Sequence, residues 1–325
     1  MKKFLFIFIA AFFLAGAANA AYVYAGQWGT YGTGPGQFYR PFGVAVKPNG
    51  NVYVADCNNH RIQYFTATGS YLGQWGSWGS EPGQFKEPLW VAVARNGTVF
   101  VTEGGYNSRV QYFTSTGSFL GKWDSWGSGP GQFIYPMGIA VTPNGKVYVI
   151  DRNNKRIQYF TLNGSYLGEW YFEGPEGVAV ARSGKTVYAP NIYKRCIQYF
   201  TGTGSYLGQW GSWGTGPGQF KYPRGVAVAP SGTVFVADMY NHCVQYFTAT
   251  GSFLGKWGSD GTGNGEFHYP IGVAVTPNGT VYVADTVNDR IQYFKRSGKI
   301  KMGSGGSSES GVAPTSLGRL KALYK

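Results

Sequence analysis

The word Gln-Tyr-Phe occurs six times in this chain, beginning at Gln63, Gln111, Gln158, Gln198, Gln245 and Gln292. The spacings are 48, 47, 40, 47 and 47 residues. A period of this length means that one supersecondary unit is copied and stacked, and no other feature limits the fold as tightly. The fifth copy shows the unit clearly. Gly225 to Val228 is a short apolar run, and Ala229 to Gly232 is a turn. Thr233 to Ala237 alternates and is rich in β-formers, Asp238 to His242 is a polar loop, and Cys243 to Phe247 is a third strand. Thr248 to Gly251 turns again, and Ser252 to Trp257 is a fourth strand. Six antiparallel four-stranded units predict an all-β, six-bladed propeller over residues 21–300.

Closure is legible as well. Tyr22 to Gly29 matches the fourth-strand word Ser205 to Gly211, although it precedes every complete unit. The last unit ends near Phe294 with only a weak fourth strand of its own. The N-terminal strand is therefore expected to complete the last blade, which removes the exposed sheet edge.

The fullest copy runs from Gly34 to Phe65. It contains Gly-Pro-Gly-Gln-Phe, Gly-Val-Ala-Val, Val-Tyr-Val-Ala-Asp and Asn-His-Arg-Ile-Gln-Tyr-Phe in that order. This pattern resembles the NHL-repeat family, and the likeness covers roughly residues 22–294. The resemblance implies the propeller fold. It does not imply one activity, because such propellers include sensors, scaffolds, nucleic-acid binders and a few lyases.

Composition narrows the class. Aromatic residues make up 18% of the chain and charged residues 13%, the reverse of a disordered composition. Of the net charge of +13, two units lie at Lys2-Lys3 and six within residues 295–325. The mildly basic body argues against nucleic acid as the partner. Residues 1–20 read as a secretory leader: a basic start, the apolar run Phe4 to Ala18, and an Ala18-Asn19-Ala20 cleavage site. The expected location is secreted or periplasmic. Residues 301–325 read as a Gly/Ser linker and a basic tail, through which alone membrane attachment is expected. Three cysteines, Cys57, Cys196 and Cys243, make no disulfide framework.

Candidate site residues come from the face that carries the longer loops. Each of three loops holds two tryptophans. The first members, such as Trp75, are expected to pack between blades. Trp78, Trp126 and Trp213 are the second members and candidate contact residues. Repetition itself argues for a structural role, so the positions that vary carry more information. The residue before each inner strand is Phe42, Leu89, Met137, Glu176, Arg224 or Ile271, and Trp90 replaces the usual glycine. These predict an amphipathic channel mouth with one charged corner, the alternative being a solvent-exposed Glu176–Arg224 pair of little energetic worth. The loop before the fourth unit is shortened to Tyr171 to Glu176, which predicts a notch in the rim.

Catalytic signatures are thin. His60, His242 and His268 are the only histidines. Their loop positions are expected to stay apart, so neither a metal site nor a cofactor is expected. The recurring Asp56, Asp151, Asp238 and Asp285, five residues before Arg61, Arg156, Cys243 and Arg290, read as loop-closing pairs rather than a ring of cation ligands. The reading is a monomeric, non-enzymatic binding scaffold for a protein or cell-surface glycan. A lyase or lactonase acting at the channel mouth with a bound cation is the alternative.

Overall fold

A computed structural model describes residues 21–48, 50–105 and 107–297. The expected leader, linker and tail lie outside the described residues. The six units form six four-stranded antiparallel sheets in sequential strand order. Blade one consists of Pro41–Val46, Val52–Asp56, Arg61–Phe65 and Tyr71–Trp75, from the axis outward. Blade six takes its inner three strands, Pro270–Val275, Val281–Asp285 and Arg290–Arg296, from the C-terminal end of the repeat. Its outer strand is Tyr22–Trp28, antiparallel to Arg290–Arg296 with Tyr22 opposite Arg296 and Trp28 opposite Ile291. The N-terminal strand thus closes the ring, as the sequence indicated.

The inner strands crowd one another at the axis, and this explains their glycine. A Cβ on Gly43 would lie 2.8 Å from the Leu89 carbonyl oxygen of blade two. One on Gly272 would lie 2.3 Å from the Phe42 carbonyl oxygen. A real Cβ cannot approach a backbone so closely, so the strands would have to part. Blade two tolerates Trp90 at this position because Thr102 acts as a spacer. Its hydroxyl accepts the Trp90 N–H at 3.2 Å and donates to the Met137 carbonyl at 2.6 Å.

Aromatic rings fill the space between blades. Trp75 packs on Tyr53 and Tyr64 of its own blade and on Phe113 of the next, with ring centroids 5.6–6.3 Å apart. The buried indole N–H groups of Trp28, Trp75, Trp123, Trp170, Trp210 and Trp257 have no acceptor, so these side chains hold the fold through apolar area alone. A second layer pairs a loop phenylalanine with the Phe of the following Gln-Tyr-Phe word. Phe38 meets Phe65 at 5.6 Å and Phe85 meets Phe113 at 5.6 Å. Where the loop is shortened, Phe172 takes this place against Phe200, also at 5.6 Å. The deletion therefore keeps the plug while losing the rim.

The acid–arginine pairs are the loop closures the repeat suggested. Arg61 donates through Nε to Asp56 at 2.8 Å, and its terminal nitrogens donate to the carbonyls of Thr33, Gly34 and Gln37. Gln63 adds bonds to Asp56 and to the Gln37 carbonyl. One buried network thus pins the long loop that enters the blade. Arg109, Arg156 and Arg290 repeat it with Glu103, Asp151 and Asp285. Blade four has Asn191 and Cys196 at these positions and the short entry loop, whereas blade five has Cys243 in place of the arginine and keeps its full loop, tied to Asp238 through the Lys221 and Tyr222 N–H groups.

Candidate binding cavity at the channel mouth

The varying positions before the inner strands converge. Phe42, Leu89, Met137, Glu176, Arg224 and Ile271, one from each blade, line a cavity of about 680 Å³ at the axis. The strand starts bring them together because every blade presents the same register position to the axis. Trp90 does not line this cavity; it is buried and packs edge-on against Phe42 at 5.0 Å. The opposite end of the channel is rimmed by the last valines of the inner strands, such as Val46, Val141 and Val228, and offers no acid.

The charged corner differs from a solvent-exposed pair. Glu176 is only 1% exposed. Its Oε2 accepts from Arg224 at 2.8 Å, while Oε1 lies 3.1 Å from Arg152 Nε without the alignment of a hydrogen bond. Arg224 also spreads over the Phe42 ring at 4.6 Å, and its Nε is buried without a partner. The charged corner therefore leaves one buried acceptor and one buried donor incompletely used. An unused buried polar atom costs about 1–3 kcal/mol.

Arg152 escaped the sequence reading. It follows Asp151, and the equivalent residues Cys57, Met239 and Thr286 also line the cavity. A second varying register, the residue after each blade's acid, thus marks the same site. Cys57 is no nucleophile: burial, reinforced by Glu87 and Asp56, pushes its thiol up to about 12. Burial likewise raises the Tyr135 and Tyr222 phenols, which stay neutral and serve as walls and donors.

The outer tryptophans occupy a different surface. Trp78, Trp126 and Trp213 are 66%, 70% and 66% exposed, each bridged to the plug phenylalanine of its own loop. None lines the central cavity. Sequence reasoning had joined these two groups into one site, whereas the structure separates a concave centre from an aromatic rim. It also corrects the separation expected of the histidines. His242 and His268 lie side by side with ring centroids 5.4 Å apart, because adjacent blades bring the two loops together.

Comparison with known proteins agrees with this architecture. The family model described as NHL repeat matches residues 38–65, 220–247 and 267–294, and one described as a 6-bladed beta-propeller matches residues 91–175. The B-box type zinc finger protein ncl-1 of Caenorhabditis elegans is 49% identical over 47 residues, 14% of this chain and 6% of that protein's length. Among solved structures, a protein of unknown function from Bacteroides thetaiotaomicron superposes with a TM-score of 0.64 at 16% identity, covering 82% of this chain and 75% of that one. A streptogramin B lyase superposes with a TM-score of 0.57, also at 16% identity, covering 80% and 94%. At such identity these two similarities concern the fold alone. The chain carries NHL repeats and folds as a six-bladed β-propeller.

Proposed function

We propose that this propeller is an exported, non-enzymatic binding module whose ligand enters the cavity at the channel mouth. The observation that carries this reading is the axial cavity itself, with the buried Glu176 clamped between Arg152 and Arg224 in its wall. Around them stand the apolar Phe42 and Met137, and Tyr135 and Tyr240, apolar surfaces with polar tips. Such a site suits a flat or aliphatic group that carries both a donor and an acceptor. A protein side chain or a sugar of a cell-surface glycan presents this combination. The cationic residues Arg40, Arg152 and Arg224 outnumber Glu87 and Glu176, which favours an acidic group over a basic one. The exposed rim tryptophans supply stacking area for the rest of a large ligand.

The alternative, lyase or lactonase chemistry at the same mouth, draws only on the shared fold. Glu176 is the acid such chemistry would use, and it is already held by two guanidinium groups. Exposing the protein to a glycan array and a library of acidic surface peptides tests the proposal. Arg152→Ala and Tyr240→Ala should each reduce binding of the selected ligands about 5- to 30-fold, the effect of about 1–2 kcal/mol per contact. Ligands that bind these variants as tightly as the native protein would place the site elsewhere.

A further inference from the structure

We propose that His242, Asp260 and His268 form a binding site for a first-row divalent cation of the zinc class, at the junction of blades five and six. The proposal is independent of the cavity and goes beyond the binding function above. Three groups of ligating chemistry meet here. Asp260 Oδ1 lies 2.7 Å from His268 Nδ1 and 3.3 Å from His242 Nδ1. One ligand atom from each of the three residues lies within 4.8 Å of the others. A tetrahedral ion bonded at about 2.0–2.1 Å holds its ligand atoms roughly 3.3 Å apart, so the closest pair opens by about 0.6 Å and the widest, at most 4.8 Å, closes by up to about 1.5 Å, changes that side-chain rotation supplies. Two imidazoles and a carboxylate are the donor set of three-ligand zinc sites, with a fourth position left to water or a partner.

The repeat supplies an internal control. The five blade junctions that keep a full-length entry loop carry the same three positions. They are the left-handed residue before the third strand, the residue bridged to the plug phenylalanine, and the residue after that phenylalanine. At the first junction these are His60, Trp78 and Lys86, and the lysine lies over the indole at 5.3 Å. His60 and His242 have φ values of 55° and 51°, and each accepts a backbone N–H of the next loop at Nδ1, from Glu87 at 3.2 Å and from Tyr269 at 3.4 Å. A histidine at the left-handed position therefore has a structural use of its own. Only the junction of blades five and six replaces the aromatic with Asp260 and adds His268. The long Tyr269 contact is a weak competitor for the ion. Tyr269 also walls the site, its ring 4.9 Å from His242 and 4.6 Å from His268, and it lines the central cavity on its other side.

The experiment titrates Zn²⁺ into the chelator-treated full chain by calorimetry, with Co²⁺ absorption reporting the ligand set. We expect one saturable equivalent and the visible bands of four-coordinate cobalt. His268→Gln and Asp260→Asn should each weaken Zn²⁺ binding at least tenfold, and His60→Gln should leave it unchanged. Asp260 is 61% exposed and the His268 side chain 37%, so neither change removes a core contact. Absence of saturable Zn²⁺ binding would overturn the proposal. So would equal affinity in the Asp260 and His268 variants, or loss of binding on replacing His60.

Discussion

Removing residues 21–29 tests the closure of the ring directly. The strand Tyr22–Trp28 is the outer edge of blade six and the link between the two ends of the repeat. Its loss uncovers the backbone groups of Arg290–Arg296 along six paired positions. It also removes Tyr22, stacked on Trp257 at 5.1 Å and edge-on to Phe235 and Tyr246, and Trp28, set among Phe65, Tyr282 and Tyr293. Deleting a large packed aromatic costs about 3–5 kcal/mol, so the two together approach the stability of a whole domain, about 5–15 kcal/mol. The exposed edge adds a template for intermolecular pairing. The truncated protein should therefore aggregate or melt without a cooperative transition. Trp28→Ala alone, which keeps the backbone pairing, should remain folded and lose about 3–5 kcal/mol in urea denaturation followed by circular dichroism. A truncated protein that melts as the intact chain does would show that blade six does not need its N-terminal strand, and the closure argument would fail.

Two further outcomes separate packing from surface. Trp75→Ala should cost about 3–5 kcal/mol of stability, whereas Trp78→Ala, at an exposed position, should stay within about 0.5 kcal/mol of the native protein in the same denaturation assay; equal losses would remove the distinction between the paired tryptophans. The three cysteines are free and buried, and burial pushes Cys57 and Cys243 up to about 12 and Cys196 up to about 11. A thiol reagent at pH 8 should thus label none in the folded chain and three after unfolding without reductant. Because these folded values lie above the ordinary thiol value of 9.0, their contribution to stability is intact below about pH 9 and is lost as pH rises towards 12.

The sequence by itself determined the architecture. Six copies of Gln-Tyr-Phe set the blade count, the alternation in runs such as Thr233 to Ala237 set the strands, and the orphan strand Tyr22 to Gly29 set the closure. These follow from local periodicity, which a chain states without reference to what lies far along it. The structural role of the acid–arginine pairs was legible for the same reason, since Asp56 and Arg61 lie across one tight loop. The cavity was legible in part, because a repeat makes its own exceptions visible, and Phe42, Glu176 and Arg224 are exceptions. Arg152 and the pairing of His242 with His268 were decided by tertiary structure alone. Their partners come from other blades or other loops, and the twist between neighbouring sheets sets which loops meet. The burial of Glu176 and the exposure of Trp78 belong to the same class, because solvent access depends on the curvature of the closed ring and not on the residue's place in its repeat.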